Sequence, residues 1–206
     1  MNLQDKKLYL ITDESISFDL LKYKVEEALK SGVRLLQYRR KNASTRELCN
    51  EALELKSICQ RYECIFLIND RIDVALAIDA DGVHLGQDDM DIEIAKRLLK
   101  DNKIIGITAK TIEQATEAES KGASYIGVGA LNKSPTKTNA KQITVDELKN
   151  IRNSVKIPMF GIGGITKDNL TKDIIENVTG VCAISAVLEK NDIKKAVNEI
   201  VDCFNR

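Results

Sequence analysis

Leu8-Tyr9-Leu10-Ile11-Thr12-Asp13-Glu14-Ser15 joins an apolar run to a turn that contains no glycine. The run lacks a clean alternation of polar and apolar residues, which is the pattern of a strand covered on both faces, as in a parallel sheet. The turn discriminates between two parallel architectures. An open doubly wound sheet usually carries a glycine-rich phosphate turn after its first strand. Thr12-Asp13-Glu14-Ser15 is not such a turn, and a barrel is favoured.

Seven further runs of the same kind follow, at 33–38, 64–68, 82–86, 104–108, 124–130, 158–162 and 180–185. Pro158 opens its run, where a strand tolerates a missing N–H. Helical patterns fill the intervals. Leu20, Leu21, Val25, Ala28 and Leu29 share one face, and Gly32 follows as a stop signal. Ser44 with Glu47 three residues on reads as a capping box ahead of Leu48, Ala52, Leu55, Ile58 and Cys59. Thr111 opens another helix that ends near Lys121-Gly122, Thr144 with Glu147 opens the next, and 194–204 forms a final amphipathic stripe. Strict alternation of strand and helix implies right-handed crossovers and a parallel sheet. The expectation is α/β: a (βα)8 TIM barrel, a single domain over 1–206, with no linker or low-complexity segment.

The chain has 206 residues, somewhat under the roughly 250 typical of this architecture but enough for a sizeable core. Lys and Arg total 31 and so do Asp and Glu, so no basic field exists for nucleic acid or an anionic membrane. No run approaches the roughly 20 apolar residues of a membrane span, and the polar start of the chain lacks the apolar core of a signal peptide. Five cysteines without CxxC spacing read as small hydrophobes in a reducing cytoplasm. The one histidine, His84, excludes a zinc site with two or more histidines, so any metal should be oxygen-ligated. Lying between Val83 and Leu85, His84 itself is expected as a hydrogen-bonded core residue.

Active sites of such barrels sit on the loops that follow the strands. Those positions hold Gln37-Tyr38-Arg39-Arg40-Lys41, Asn69-Asp70-Arg71, Gln87-Asp88-Asp89, Thr108, the long segment 131–139, Gly161-Ile162-Gly163-Gly164-Ile165-Thr166 and Ile184-Ser185-Ala186. The glycine turn, paired with a small polar residue after the eighth strand, suits a phosphate cradle of bare backbone N–H groups. Asp70 and Asp89 follow neighbouring strands and suit either a magnesium ion or two helix N-caps. Arg39 and Lys41 alternate so that both can face the mouth, although such residues also form solvated ion pairs. One phosphate cradle beside a cationic and metal cluster suggests two phosphorylated groups.

In order and spacing these segments, with Asp81-Gly82-Val83-His84-Leu85-Gly86-Gln87-Asp88-Asp89, Gly127-Val128-Gly129 and Thr136-Lys137, resemble the thiamine-phosphate synthase family over nearly the whole chain. The resemblance implies a transferase that joins a hydroxymethylpyrimidine diphosphate to a thiazole phosphate with loss of pyrophosphate. It implies small phosphorylated substrates as partners and leaves a homo-oligomer open. By the same resemblance Gln37, Tyr38, Arg39, Arg40, Lys41 and Asn69 would hold the pyrimidine diphosphate, and Asp70 and Asp89 would bind Mg2+. Thr108 would sit beside the leaving group, Ser134, Pro135 and Thr136 would line the thiazole phosphate loop, and Lys137 would reach the diphosphate. Gly164, Ile184 and Ser185 would complete the cradle. Three features depart from the family pattern: Arg40 where Glu is common, Thr108 for Ser, and the loop 130–135. Two other readings share the barrel, a thiazole tautomerase-like isomerase and a non-catalytic phosphate-binding protein. The first would be expected to lack the aspartate pair.

Overall fold

Alternation of side chains along eight short strands sorts the molecule into two apolar layers. In the computed structural model, which describes residues 2–100, 102–132 and 142–205, the strands are β1 (Leu8–Ile11), β2 (Leu35–Tyr38), β3 (Ile65–Asn69), β4 (Gly82–Leu85), β5 (Ile104–Ala109), β6 (Tyr125–Val128), β7 (Met159–Gly161) and β8 (Gly180–Ala183). All neighbours pair in parallel, and β8 returns to β1 through Leu8↔Val181, Tyr9↔Cys182 and Leu10↔Ala183, closing the barrel. The expected TIM barrel is observed. Several strands are shorter at their ends than the apolar runs, because hydrogen bonding to both neighbours stops before apolar character does.

The helices are α1 (Phe18–Lys30), α2 (Thr45–Arg61), α3 (Ile72–Ala77), α4 (Ile92–Leu99), α5 (Ile112–Ser120), α6 (Val145–Ser154), α7 (Lys172–Ile175), α8 (Ser185–Leu188) and α9 (Ile193–Val201), the last running into a 3-10 turn, Asp202–Asn205. Both expected capping boxes form: Ser44 accepts from Glu47 N and Thr144 from Glu147 N, with each glutamate reaching back to its cap. The helices α7 and α8, four residues each, are too short to leave a periodic signal, and residues 184–185 serve as the cap and first residue of α8 rather than as strand.

Outward residues such as Leu10, Leu36, Phe66, Val83, Ile107 and Val128 pack beneath the helices. Inward residues, among them Tyr9, Leu35, Leu67, Tyr125, Phe160 and Cys182, fill the barrel. Tyr9, Tyr125 and Phe160 meet edge to face with ring centres 5.4–5.7 Å apart. Gly106 makes this possible, since a Cβ there would lie 2.0 Å from Tyr125 Cζ. The interior is thus a packed plug, and chemistry is confined to the strand ends.

Candidate active site

Gln37, near the end of β2, and Arg39 and Lys41 beyond it form one parity of this stretch, and Tyr38 and Arg40 the other. Thr12, 1% exposed, fixes the first set: its hydroxyl accepts from Arg39 N at 2.8 Å and donates to Arg39 O at 3.2 Å. Glu14 adds a second clasp, its carboxylate accepting from Lys41 N at 2.9 Å and Asn42 N at 3.2 Å. Those backbone N–H groups and Arg39 hold the Glu14 carboxyl below its ordinary range, although burial opposes them. The side chains of Tyr38 and Arg40 turn the other way. Tyr38 donates to Glu51 on α2 at 2.5 Å, and Arg40 pairs with the same carboxylate. The strand's period of two therefore turns these two side chains toward α2 and engages both with Glu51. The Arg40 charge, one of the departures noted in the sequence, is thus matched by Glu51. Tyr38, Arg40 and Glu51, with Arg39 and Phe18, line a hollow of about 290 Å3.

Asp70 and Asp89 cap no helix. The cap of α3 is Arg71, without a side-chain hydrogen bond, and the cap of α4 is Asp91, which accepts from Glu93 N. Of the two sequence readings for this pair, capping is excluded. Asp70 adopts a left-handed backbone, φ 59°, uncommon for a residue with a Cβ. It is fixed there by Asp70 N donating to His84 O at 2.9 Å. Its carboxylate lies 3.4 Å from Lys41 Nζ. Asp89 accepts from Gly86 N at 2.7 Å. Burial first, and then the adjoining Asp70 carboxyl, push Asp89 above the ordinary carboxylate range against the opposing pull of Gly86 N–H and Lys41. Asp70 and Asp89 thus adjoin each other beside a lysine. Asn69, the last residue of β3, stands opposite His84 in the register.

Inside the barrel a continuous hydrogen-bond chain crosses from β2 to β5. Gln37 Nε2 donates to Tyr9 OH at 2.6 Å, Tyr9 OH meets Tyr125 OH at 2.7 Å, Tyr125 OH meets His84 Nδ1 at 2.9 Å, and His84 Nε2 meets Thr108 Oγ1 at 3.0 Å. The backbone of Thr108 is held as well, by Gln87 Nε2 donating to its carbonyl at 2.6 Å. His84 is hydrogen-bonded as expected, but it is half-buried rather than a core residue, and its second partner is a residue singled out for the site. Sequence reasoning assigned no part to Thr12, Glu14, Tyr9 or Tyr125, and no local signal marks them, because each acts on a residue far away in the chain.

The glycine turn after β7 has two components. Gly163 has φ +109°, and a Cβ on it would meet Ala130 Cα at 2.8 Å, so packing against the end of β6 already requires glycine. Gly164 also has positive φ, 54°, and its carbonyl accepts from Asn169 Nδ2 at 2.7 Å. Leu131 N and Asn132 N bind the carbonyls of Ile162 and Gly163, joining the two loops. Asn132 Nδ2 is buried without a hydrogen-bond partner among the described residues. Ile184 packs against the inner layer, and Ser185 opens α8. Ser134, Pro135, Thr136 and Lys137 lie outside the described residues. Among the described residues no cluster of three or more His, Cys, Asp or Glu side chains forms a metal site.

A family profile described as thiamine monophosphate synthase matches residues 8–187. The chain belongs to the thiamine monophosphate synthase family. A thiamine-phosphate synthase of Fusobacterium nucleatum is 49% identical over 208 residues, covering all of both chains. One from Clostridium perfringens is 46% identical over 100% of this chain and 99% of its own. The solved thiamine phosphate pyrophosphorylase of Pyrococcus furiosus superposes with a TM-score of 0.89 at 42% identity, over 99% of this chain and 98% of that one. An orotidine 5'-phosphate decarboxylase from Pyrococcus horikoshii, 8% identical with a TM-score of 0.71, shares the barrel alone. Like its thiamine monophosphate synthase relatives, the chain is an enzyme of the transferase class.

Proposed function

We propose that the barrel mouth couples 4-amino-2-methyl-5-(diphosphooxymethyl)pyrimidine with 4-methyl-5-(2-phosphooxyethyl)thiazole, giving thiamine phosphate and pyrophosphate. The observation that carries this reading is the meeting of Asp70 and Asp89, neither used as a cap, beside Lys41. Two crowded carboxylates fit a hard divalent ion that completes its shell with water and substrate phosphate, as magnesium does. When bound, magnesium would lend positive charge to the departing diphosphate.

The residues of the chain account for the rest. Arg39 and Lys41 offer positive charge to the diphosphate as the C–O bond breaks and its electron pair leaves with oxygen. Thr108 presents a hydroxyl at the same mouth, and Gln37 an amide whose Nε2 is already committed to Tyr9. The aminopyrimidine can delocalise the cation that forms at its methylene carbon, and the thiazole nitrogen then supplies the pair for the new C–N bond. No protein nucleophile is required. Gly164, Ile184 and Ser185 would cradle the thiazole phosphate through backbone N–H groups, and the donor Asn132 Nδ2, without a partner among the described residues, supports an anion nearby. The family resemblance adds Asn69 and Lys137 on the diphosphate, with Ser134, Pro135 and Thr136 on the thiazole side. Five free cysteines, four of them buried, suit a cytoplasmic setting.

The test is pyrophosphate release from the two substrates with magnesium. Stoichiometric pyrophosphate and thiamine phosphate, abolished by excess chelator, would support the proposal. Binding without turnover would favour a phosphate-binding protein, and isomerisation of a thiazole without diphosphate chemistry would favour an isomerase.

A further inference from the structure

The hydrogen-bond chain from Gln37 to Thr108 has two conceivable directions, and among the described residues only one uses every proton. Tyr9, 1% exposed, and Tyr125, fully buried, have phenols that burial keeps protonated. Each hydroxyl has one proton to give. With Gln37 Nε2 donating into Tyr9, the Tyr9 proton goes to Tyr125, the Tyr125 proton to His84 Nδ1, and the proton on His84 Nε2 to Thr108 Oγ1. In the reverse direction Tyr9 would have to donate to an amide nitrogen that cannot accept, leaving a buried O–H unpaired, which is costly. The forward direction fixes the imidazole as the Nε2–H tautomer. It also occupies an acceptor site of Thr108 and leaves the threonine proton free for a ligand.

We infer that His84 is a positioning residue, which, oriented by Tyr125 and Tyr9, holds the Thr108 hydroxyl as a hydrogen-bond donor toward the substrate oxygen at the barrel mouth. The packing around the ring has the same effect. His84 stacks on Tyr125 with centroids 5.6 Å apart and planes 26° from parallel, and its Cε1 would lie 3.1 Å from a Cβ at Gly127. A side chain at 127 would crowd the imidazole, so the glycine leaves the ring room to lie against Tyr125. The proton on Thr108 then needs no reorientation when negative charge develops on the leaving group, which is the benefit of a preorganised donor.

The inference rests on the proposed coupling reaction, but its first test does not. His84 is the only histidine, so the imidazole 15N resonances of the uniformly labelled enzyme are unambiguous. The expected result is a protonated Nε2 and an unprotonated Nδ1, with that preference weakened in Tyr125→Phe. An Nδ1–H tautomer in the native enzyme would overturn the inference even if coupling were robust. The second test is kinetic. His84→Leu should lower kcat roughly tenfold or more with little change in KM, the scale of one hydrogen bond to a charged group. His84→Gln, which keeps a terminal N–H donor, should recover part of that loss. In a Thr108→Val background, His84→Leu should cost nothing further. Independent, multiplicative losses would show that His84 acts other than through Thr108. If His84→Leu fails to fold, the 15N measurement on the native enzyme still decides. Absence of coupling by the native enzyme, with the expected tautomer observed, would count against the reaction and not against the direction of the chain.

Discussion

Among single residues, Thr108 and the aspartate pair make the sharpest claims. Thr108→Ser keeps the hydroxyl that His84 addresses and should keep activity. Thr108→Val should lose about 1–3 kcal/mol of transition-state stabilisation in kcat/KM, the range for one hydrogen bond to a charged group. A valine variant with native turnover would reduce the position to packing. Asp89→Asn separates two effects that a structural role would join. It removes like-charge crowding against Asp70, so the metal-free protein should melt no lower than the native one. Removing that charge should cut coupling by roughly a hundredfold or more if it stabilises the developing anion through a cation. Melting curves in chelator beside coupling rates in magnesium make the comparison, and a parallel fall in both would undo the metal reading.

At the scale of the element, the start of α2 is a capping box that can be read in the sequence and measured in isolation. Ser44→Ala should cost about 1 kcal/mol, or roughly 2–4 °C in Tm for a chain of this size. Glu47 is held below its ordinary value of 4.5 by the Ser44 backbone N–H, then by the Ser44 hydroxyl. A depressed folded pKa means that the carboxylate contributes stability fully above that ordinary value and loses it as pH falls through the lower folded one. The stability difference between native protein and Glu47→Gln should therefore be largest near neutrality and vanish in acid. Melts between pH 7 and 3 would show this, and a difference that ignores pH would contradict it. The loop clasps are harder to isolate, since Thr12 and Glu14 hold a backbone belonging to another βα unit.

For the whole molecule, barrel closure couples stability to the site. Gly106→Ala places a methyl 2.0 Å from Tyr125 Cζ and 2.3 Å from its hydroxyl, so the ring must move. Overpacking of this kind costs about 1–3 kcal/mol. Because Tyr125 both packs on Tyr9 and Phe160 and bonds to His84, the variant should lose Tm and kcat together. Loss of Tm with native kcat would show that the aromatic plug and the hydrogen-bond chain are separable.

The sequence by itself determined the alternation of strands and helices, the absence of a nucleotide-type first turn, two capping boxes, and the loops on which polar residues gather. These are local properties: a period, a cap or a turn is written within a few consecutive residues. It also placed Gln37, Arg39, Lys41, Asp70, Asp89 and Thr108 at or just beyond strand ends, which in a barrel means on one face. It put Arg39 and Lys41 on one parity yet kept Arg40 beside them, because the Glu51 carboxylate that engages Arg40 is supplied by another element. It also could not choose between cap and ligand for Asp70 and Asp89, which turned on where α3 and α4 begin. The link from Gln37 to Thr108 was further out of reach. Tyr9 and Tyr125 are 116 residues apart, and they meet only because β8 closes on β1 and the room left by Gly106 lets Tyr125 fill the barrel centre. Contacts across a barrel are set by register and closure, which no local stretch of the chain encodes.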